Sequence, residues 1–103
     1  DHPSGTAVTL AEGILDSIDR KKKYVGLLEG EKAKLTPFDL QILSKRAPDV
    51  AGFHQVTYES TIDEITLIHN AKSRLGFAQG AMLAAEWMQG KKGVYTMKEL
   101  LNF

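Results

Sequence analysis

Cysteine is absent from this chain of 103 residues. That excludes disulfides, cysteine-ligated zinc, iron–sulfur clusters and a cysteine nucleophile. An excess of either charge is absent too, because 13 basic residues face 13 acidic ones. Phosphate backbones are bound by a basic surplus, so no nucleic-acid partner is expected. Long apolar runs are missing: the longest, near the C-terminus, is broken by Glu86 and falls far short of the ~20 residues of a membrane-spanning helix. No membrane is therefore expected as a partner. There is no Gly-x-Gly-x-x-Gly after a strand pattern and no P-loop, so this chain is expected to bind no dinucleotide by itself. No His-x-x-x-His pair or carboxylate cluster occurs at ligand spacing, so no metal is expected. The chain has neither an initiator Met nor a signal-peptide pattern. It opens directly on the entrance to a helix, and the N-terminal part of a longer chain is expected to be missing.

What is present is the composition of an ordinary folded domain, with 43% apolar and 25% charged residues. Disorder is excluded, and the length suits one domain. Ala7, Leu10, Ala11, Ile14, Leu15 and Ile18 recur at helical spacing, predicting a helix over Ser4–Lys22 with Ser4 as N-cap. Arg20, Lys21, Lys22 and Lys23 would then lie at its negative end, where cations are favoured. Residues 26–36 are polar and hold glycine, and read as a loop. Phe38, Leu40 and Ile42 alternate with polar residues, predicting a strand to about Arg46. Ala47-Pro48-Asp49 marks a turn. A second strand spans Val50–Ser60, with His54, Val56 and Tyr58 on one face. A short turn to Asp63 leads to a third strand, in which Ile65, Leu67 and His69 alternate with Glu64, Thr66 and Ile68. A second long helix is predicted over Ser73–Gln89, apolar enough to be buried on more than one side. Gly90 follows as a C-terminal cap, and Thr96 caps a short last helix, Met97–Leu101.

The fold class expected is α+β: a small mixed or antiparallel sheet with helices packed on one face. Two long helices cannot cover both faces of such a sheet, and an uncovered face implies a partner.

The most informative stretch is Pro3-Ser4-Gly5-Thr6-Ala7. The first backbone N–H groups of a helix lack intrahelical acceptors. With the hydroxyls of Ser4 and Thr6 and the helix dipole they make an anion site, and Gly5 lets a ligand approach the backbone. On the residues alone the favoured reading is a plain capped helix, because Ser-Gly-Thr near a helix start is common. His54 and His69 read as structural histidines, and Ser4 has no His–acid pair that would make it a nucleophile. Arg74 opposes the dipole at a helix start, so it is expected to pair with a carboxylate or an interface group. Arg46 and Asp49 are spaced to pair locally. Trp87 and Met88 read as core or interface.

Taken together, these residues resemble the C-terminal domain of dihydrodipicolinate reductase, also called 4-hydroxy-tetrahydrodipicolinate reductase, over almost the whole chain. Asp1-His2-Pro3-Ser4-Gly5-Thr6-Ala7 resembles the family's Asp-x-Pro-Ser-Gly-Thr-Ala motif. Arg46 to His54 resembles its Arg-x-Gly-x-x-x-Gly-x-His stretch. His69 to Arg74, with Phe77-Ala78 and Gly80-Ala81, resembles a third block, and Gly93-Val94-Tyr95-Thr96-Met97 a closing one. Four motifs in the same order are far more specific than any one alone.

The resemblance implies an NAD(P)H-dependent, cytoplasmic, two-domain reductase of lysine and diaminopimelate synthesis. Its N-terminal Rossmann domain takes the cofactor. Its C-terminal domain holds a small dicarboxylate and assembles homotetramers through its sheet. Carried over, Gly5 and Thr6 are the substrate-binding residues, with Ser4 as helper, and the anion site becomes the favoured reading. The family's catalytic His and Lys belong to a His-His-x-x-Lys segment just ahead of the position of Asp1, so no catalytic residue is assigned here. This chain alone is expected to be inactive and to bind no cofactor. Pro48 stands where the family usually has Gly, and His2 fills a variable position. The competing reading from the residues is a stand-alone α+β binding or assembly module without redox activity. A different two-domain dehydrogenase would lack the Pro-Ser-Gly-Thr turn.

Overall fold

Ser4 starts the first element as expected. Its backbone is extended, and its Oγ accepts the Ala7 N–H at 3.2 Å. The helix α1 runs over Gly5–Ser17, more than a turn short of the predicted end at Lys22. Ser17 Oγ donates back to the Gly13 carbonyl at 2.8 Å, and Ile18 is already extended. Such back-bonding gives the chain an alternative to continuing the helix. The basic run therefore does not cap the helix but leads into a strand. Lys21 Nζ donates to the Pro37 carbonyl, and the Lys22 N–H to that of Phe38.

The structure, a computed structural model, describes residues 2–103; Asp1, the first residue of the resemblance, lies outside them. The chain divides into two units, Asp1–Pro48 and Asp49–Phe103. In the first, α1 lies against a parallel pair, β1 (Lys23–Leu28) and β2 (Asp39–Ser44), in register from Lys23↔Asp39 to Leu28↔Ser44. Ala11 of α1 and Leu27 of β1 are its buried apolar residues. β1 corrects the sequence reading, which placed a loop from Gly26 onward. Tyr24, Val25, Leu27 and Leu28 are strand formers, and the glycine among them serves a close approach. A Cβ on Gly26 would stand 3.0 Å from Pro3 Cγ. The connection to β2 ends in a turn closed by the buried Asp39, whose carboxylate accepts the Thr36 N–H at 3.0 Å.

In the second unit β3 (Gly52–Glu59) and β4 (Glu64–Ala71) form an antiparallel hairpin. Ser60 closes its turn by hydrogen bonds with Asp63. Ahead of β3, Asp49 takes a left-handed φ of 66°, a conformation Asp tolerates better than most residues. Helix α2 follows over Leu75–Met88, and α3 over Met97–Leu101. The α+β class is as expected, with the strands shared between one parallel and one antiparallel pair. The expectation for α2 is corrected: no residue of it is buried, and Leu75 and Met82 are 63% and 66% exposed. Its apolar stripe outruns what the hairpin and α3 of its own unit can cover. The half-buried Trp87 meets Tyr95 edge-on at 5.3 Å, with Lys91 Nζ 4.3 Å above its ring. No helix among the described residues is long and apolar enough to cross a membrane.

Thr96 caps α3 as predicted, within a reciprocal box. Its N–H and hydroxyl both donate to Glu99 Oε2 at 2.6 Å. The Thr96 hydroxyl, and next its backbone N–H, hold the Glu99 carboxyl below its usual pKa. A lowered carboxyl stabilises the folded form above its unfolded pKa, and that stability is lost as pH falls through the lowered one. α3 is thus expected to fray on acidification from the ordinary glutamate range downward, seen as loss of the Thr96 amide shift by NMR. Glu99→Gln should abolish that pH dependence.

Candidate functional site

Ser4, Gly5 and Thr6 occupy the N-cap and first two positions of α1. The Ser4 hydroxyl is spent on the Ala7 N–H, and its carbonyl accepts the Val8 N–H at 3.0 Å. The Gly5 and Thr6 N–H groups, at the first two helical positions, have no acceptor within the helix. Both residues are exposed, and nothing lies within 4 Å of where a Cβ on Gly5 would stand. No acidic side chain sits in the first turn to neutralise the dipole. Two backbone donors and a positive helix end, with the exposed Thr6 beside them, make an arrangement that can hold an anion such as a carboxylate. Ser4 contributes by holding the turn.

Pro3 holds this helix start over β1, because its ring lies against Gly26. Gly26→Val is expected to displace Pro3 and to cost about 1–3 kcal/mol through overpacking. Urea denaturation reads it; an unchanged midpoint would show that the approach matters little.

In the second unit, parts of two further sequence blocks meet. The Phe77 ring would lie 3.4 Å from a Cβ on Gly52, beside Ala71. Arg74 stacks over that ring at 5.4 Å, and its Nη1 donates to the Ala51 carbonyl at 3.3 Å. Of the two partners expected for Arg74, a carboxylate or an interface group, no carboxylate pairs with it among the described residues; within the chain it meets a backbone carbonyl and an aromatic face. Arg46 and Asp49 form no ion pair among the described residues; Lys45 with Glu29 does, at 3.5 Å. An open cleft runs along His69, Asn70, Ala71, Lys72, Ser73, Gly76 and Phe77. Sequence reading missed it, because it exists only where β4 turns into α2.

With this geometry in place, the comparisons with known proteins bear on the same residues. Residues 1–101 match the family described as "Dihydrodipicolinate reductase, C-terminus". The chain belongs to that family. It is 46% identical over 99% of its length to the 4-hydroxy-tetrahydrodipicolinate reductase of Christiangramia forsetii, covering 40% of that protein. It is 41% identical over 99% of its length to the enzyme of that name from Akkermansia muciniphila, covering 43% of it. For Syntrophus aciditrophicus the figures are 36%, 100% and 40%. The chain thus spans about two fifths of the curated relatives it matches. All four blocks that carry the resemblance fall inside the matched family range.

A glycine-rich dinucleotide turn stands between a strand and a helix, and β4–α2 is a junction of that order. α2 follows β4 through Lys72-Ser73-Arg74, without the glycines that let a backbone approach a pyrophosphate. Nor do three His, Asp or Glu side chains among them gather into a metal cluster.

Proposed function

We propose that this chain is the substrate-binding and assembly half of an NAD(P)H-dependent 4-hydroxy-tetrahydrodipicolinate reductase of lysine and diaminopimelate synthesis, working in the cytoplasm. The observation that carries the substrate half is the open N-terminus of α1, where Gly5 and Thr6 present unspent donors. One carboxylate of the dicarboxylate accepts from these N–H groups and from the Thr6 hydroxyl. That fixes the position of the ring relative to whatever delivers hydride, which is how positioning lowers a barrier. The proton donors of the reaction, and the site for the nicotinamide, belong to a part of the enzyme other than these residues. The chain alone binds weakly and does not turn over.

Assembly uses the hairpin face turned away from Phe77. Side chains alternate along a strand, so Phe53, Gln55 and Thr57 share that face with Thr66 and Ile68. Phe53 and Ile68 are 50% and 59% exposed. We infer a homotetramer formed through this face.

The test is an amide NMR titration with pyridine-2,6-dicarboxylate, the aromatic relative of the substrate. Saturable shifts confined to Gly5, Thr6 and their neighbours are expected, with no NAD(P)H oxidation. Shifts elsewhere would remove the substrate reading, and turnover would remove the division of labour.

A further inference from the structure

The hairpin register sets His54 directly opposite His69. Directly opposed residues of an antiparallel pair point to one face, with Cβ atoms about 4.5–5.5 Å apart. The rest of that face is apolar or small on both strands: Gly52, Val56 and Tyr58 beside His54, and Ile65, Leu67 and Ala71 beside His69. Neither strand places a carboxylate or a cation on it. Phe77 closes one end, above Gly52 and Ala71. The cleft at the β4–α2 junction reaches His69, which is exposed, while His54 is half-buried.

We propose that His54 and His69 form a two-imidazole site for a divalent transition-metal ion of the zinc or copper kind. Imidazole nitrogens are the protein donors such ions prefer, and neutral imidazole is the ligating form. With metal–nitrogen bonds of about 2.0–2.1 Å, one ion is within reach of two rings opposed at this spacing. Water fills its remaining positions, since the strands offer no third ligand on this face. The ladder has already fixed both backbones, so the second imidazole arrives without further chain ordering. Apolar neighbours keep the rings from competing partners. The ion joins β3 to β4 through side chains, and it stabilises the folded hairpin because the unfolded chain offers no such pair.

The experiment is a titration of the 103-residue chain with zinc chloride, repeated with copper(II) chloride. It is followed by thermal melting and, in the zinc series, by ring-proton NMR of the three histidines. One saturable site is expected, with the His54 and His69 signals moving together, the His2 signal unmoved and Tm rising. His54→Gln and His69→Gln should each lose saturation, whereas His2→Gln should keep it. If His54→Gln does not fold, His69→Gln at its exposed position carries the test. Saturation that survives in His69→Gln, movement of His2 alone, or no saturable binding at all would overturn the proposal.

Discussion

Gly5→Pro is expected to weaken dicarboxylate binding by roughly 1.5–3 kcal/mol, the worth of a hydrogen bond to a charged group. That is about ten- to a hundredfold in affinity. Proline at the first helical position fits the helix, since its fixed φ is already helical and its missing N–H has no intrahelical acceptor. The residue before a proline must be extended, and Ser4 is, at φ −67° and ψ 161°. The helix should therefore survive while one ligand-facing donor disappears. Gly5→Ala separates donor from space. A Cβ there meets nothing of the protein within 4 Å, so any loss of affinity in that variant measures crowding of the ligand itself. Calorimetric titration of the two variants with pyridine-2,6-dicarboxylate decides the matter. A Pro variant that binds like the parent would place the carboxylate elsewhere.

Ile68→Asp is expected to convert the assembly to monomers, as read by sedimentation velocity. Within the single chain Ile68 is 59% exposed. The substitution should cost its fold no more than about 1 kcal/mol, the span of strand preferences. Across an interface the same carboxylate would be buried opposite copies of itself, and unpaired buried charge costs several kcal/mol per ion. Ile68→Thr should leave the assembly weakened but present. A parent chain that already sediments as a monomer would remove this face as the assembly surface.

Local chemistry made much of this legible in the sequence. Ser4 and Thr96 cap helices through bonds only two or three residues long, and the turn at Ser60–Asp63 closes on itself. The candidate substrate-binding residues Ser4, Gly5 and Thr6 are consecutive, so one helix start brings them together. Legibility failed where a residue answers to something distant. Gly26 looks like loop punctuation until Pro3 is seen against it. The exposure of α2 depends on what lies beside it, which periodicity does not report. His54 and His69 carry no spacing signal, because only the pairing of two strands makes them neighbours. Arg74 meets a carbonyl and a ring rather than a carboxylate for the same reason.

Both ladders of this chain contain only two strands, and an isolated pair is marginal in water. β4 is exposed along all its length but Ala71. The assembly proposed above would supply such a hairpin with its missing apolar cover and tie its folding to mass action. The melting temperature should then climb with protein concentration, and dilution alone would act on this chain as a denaturant does.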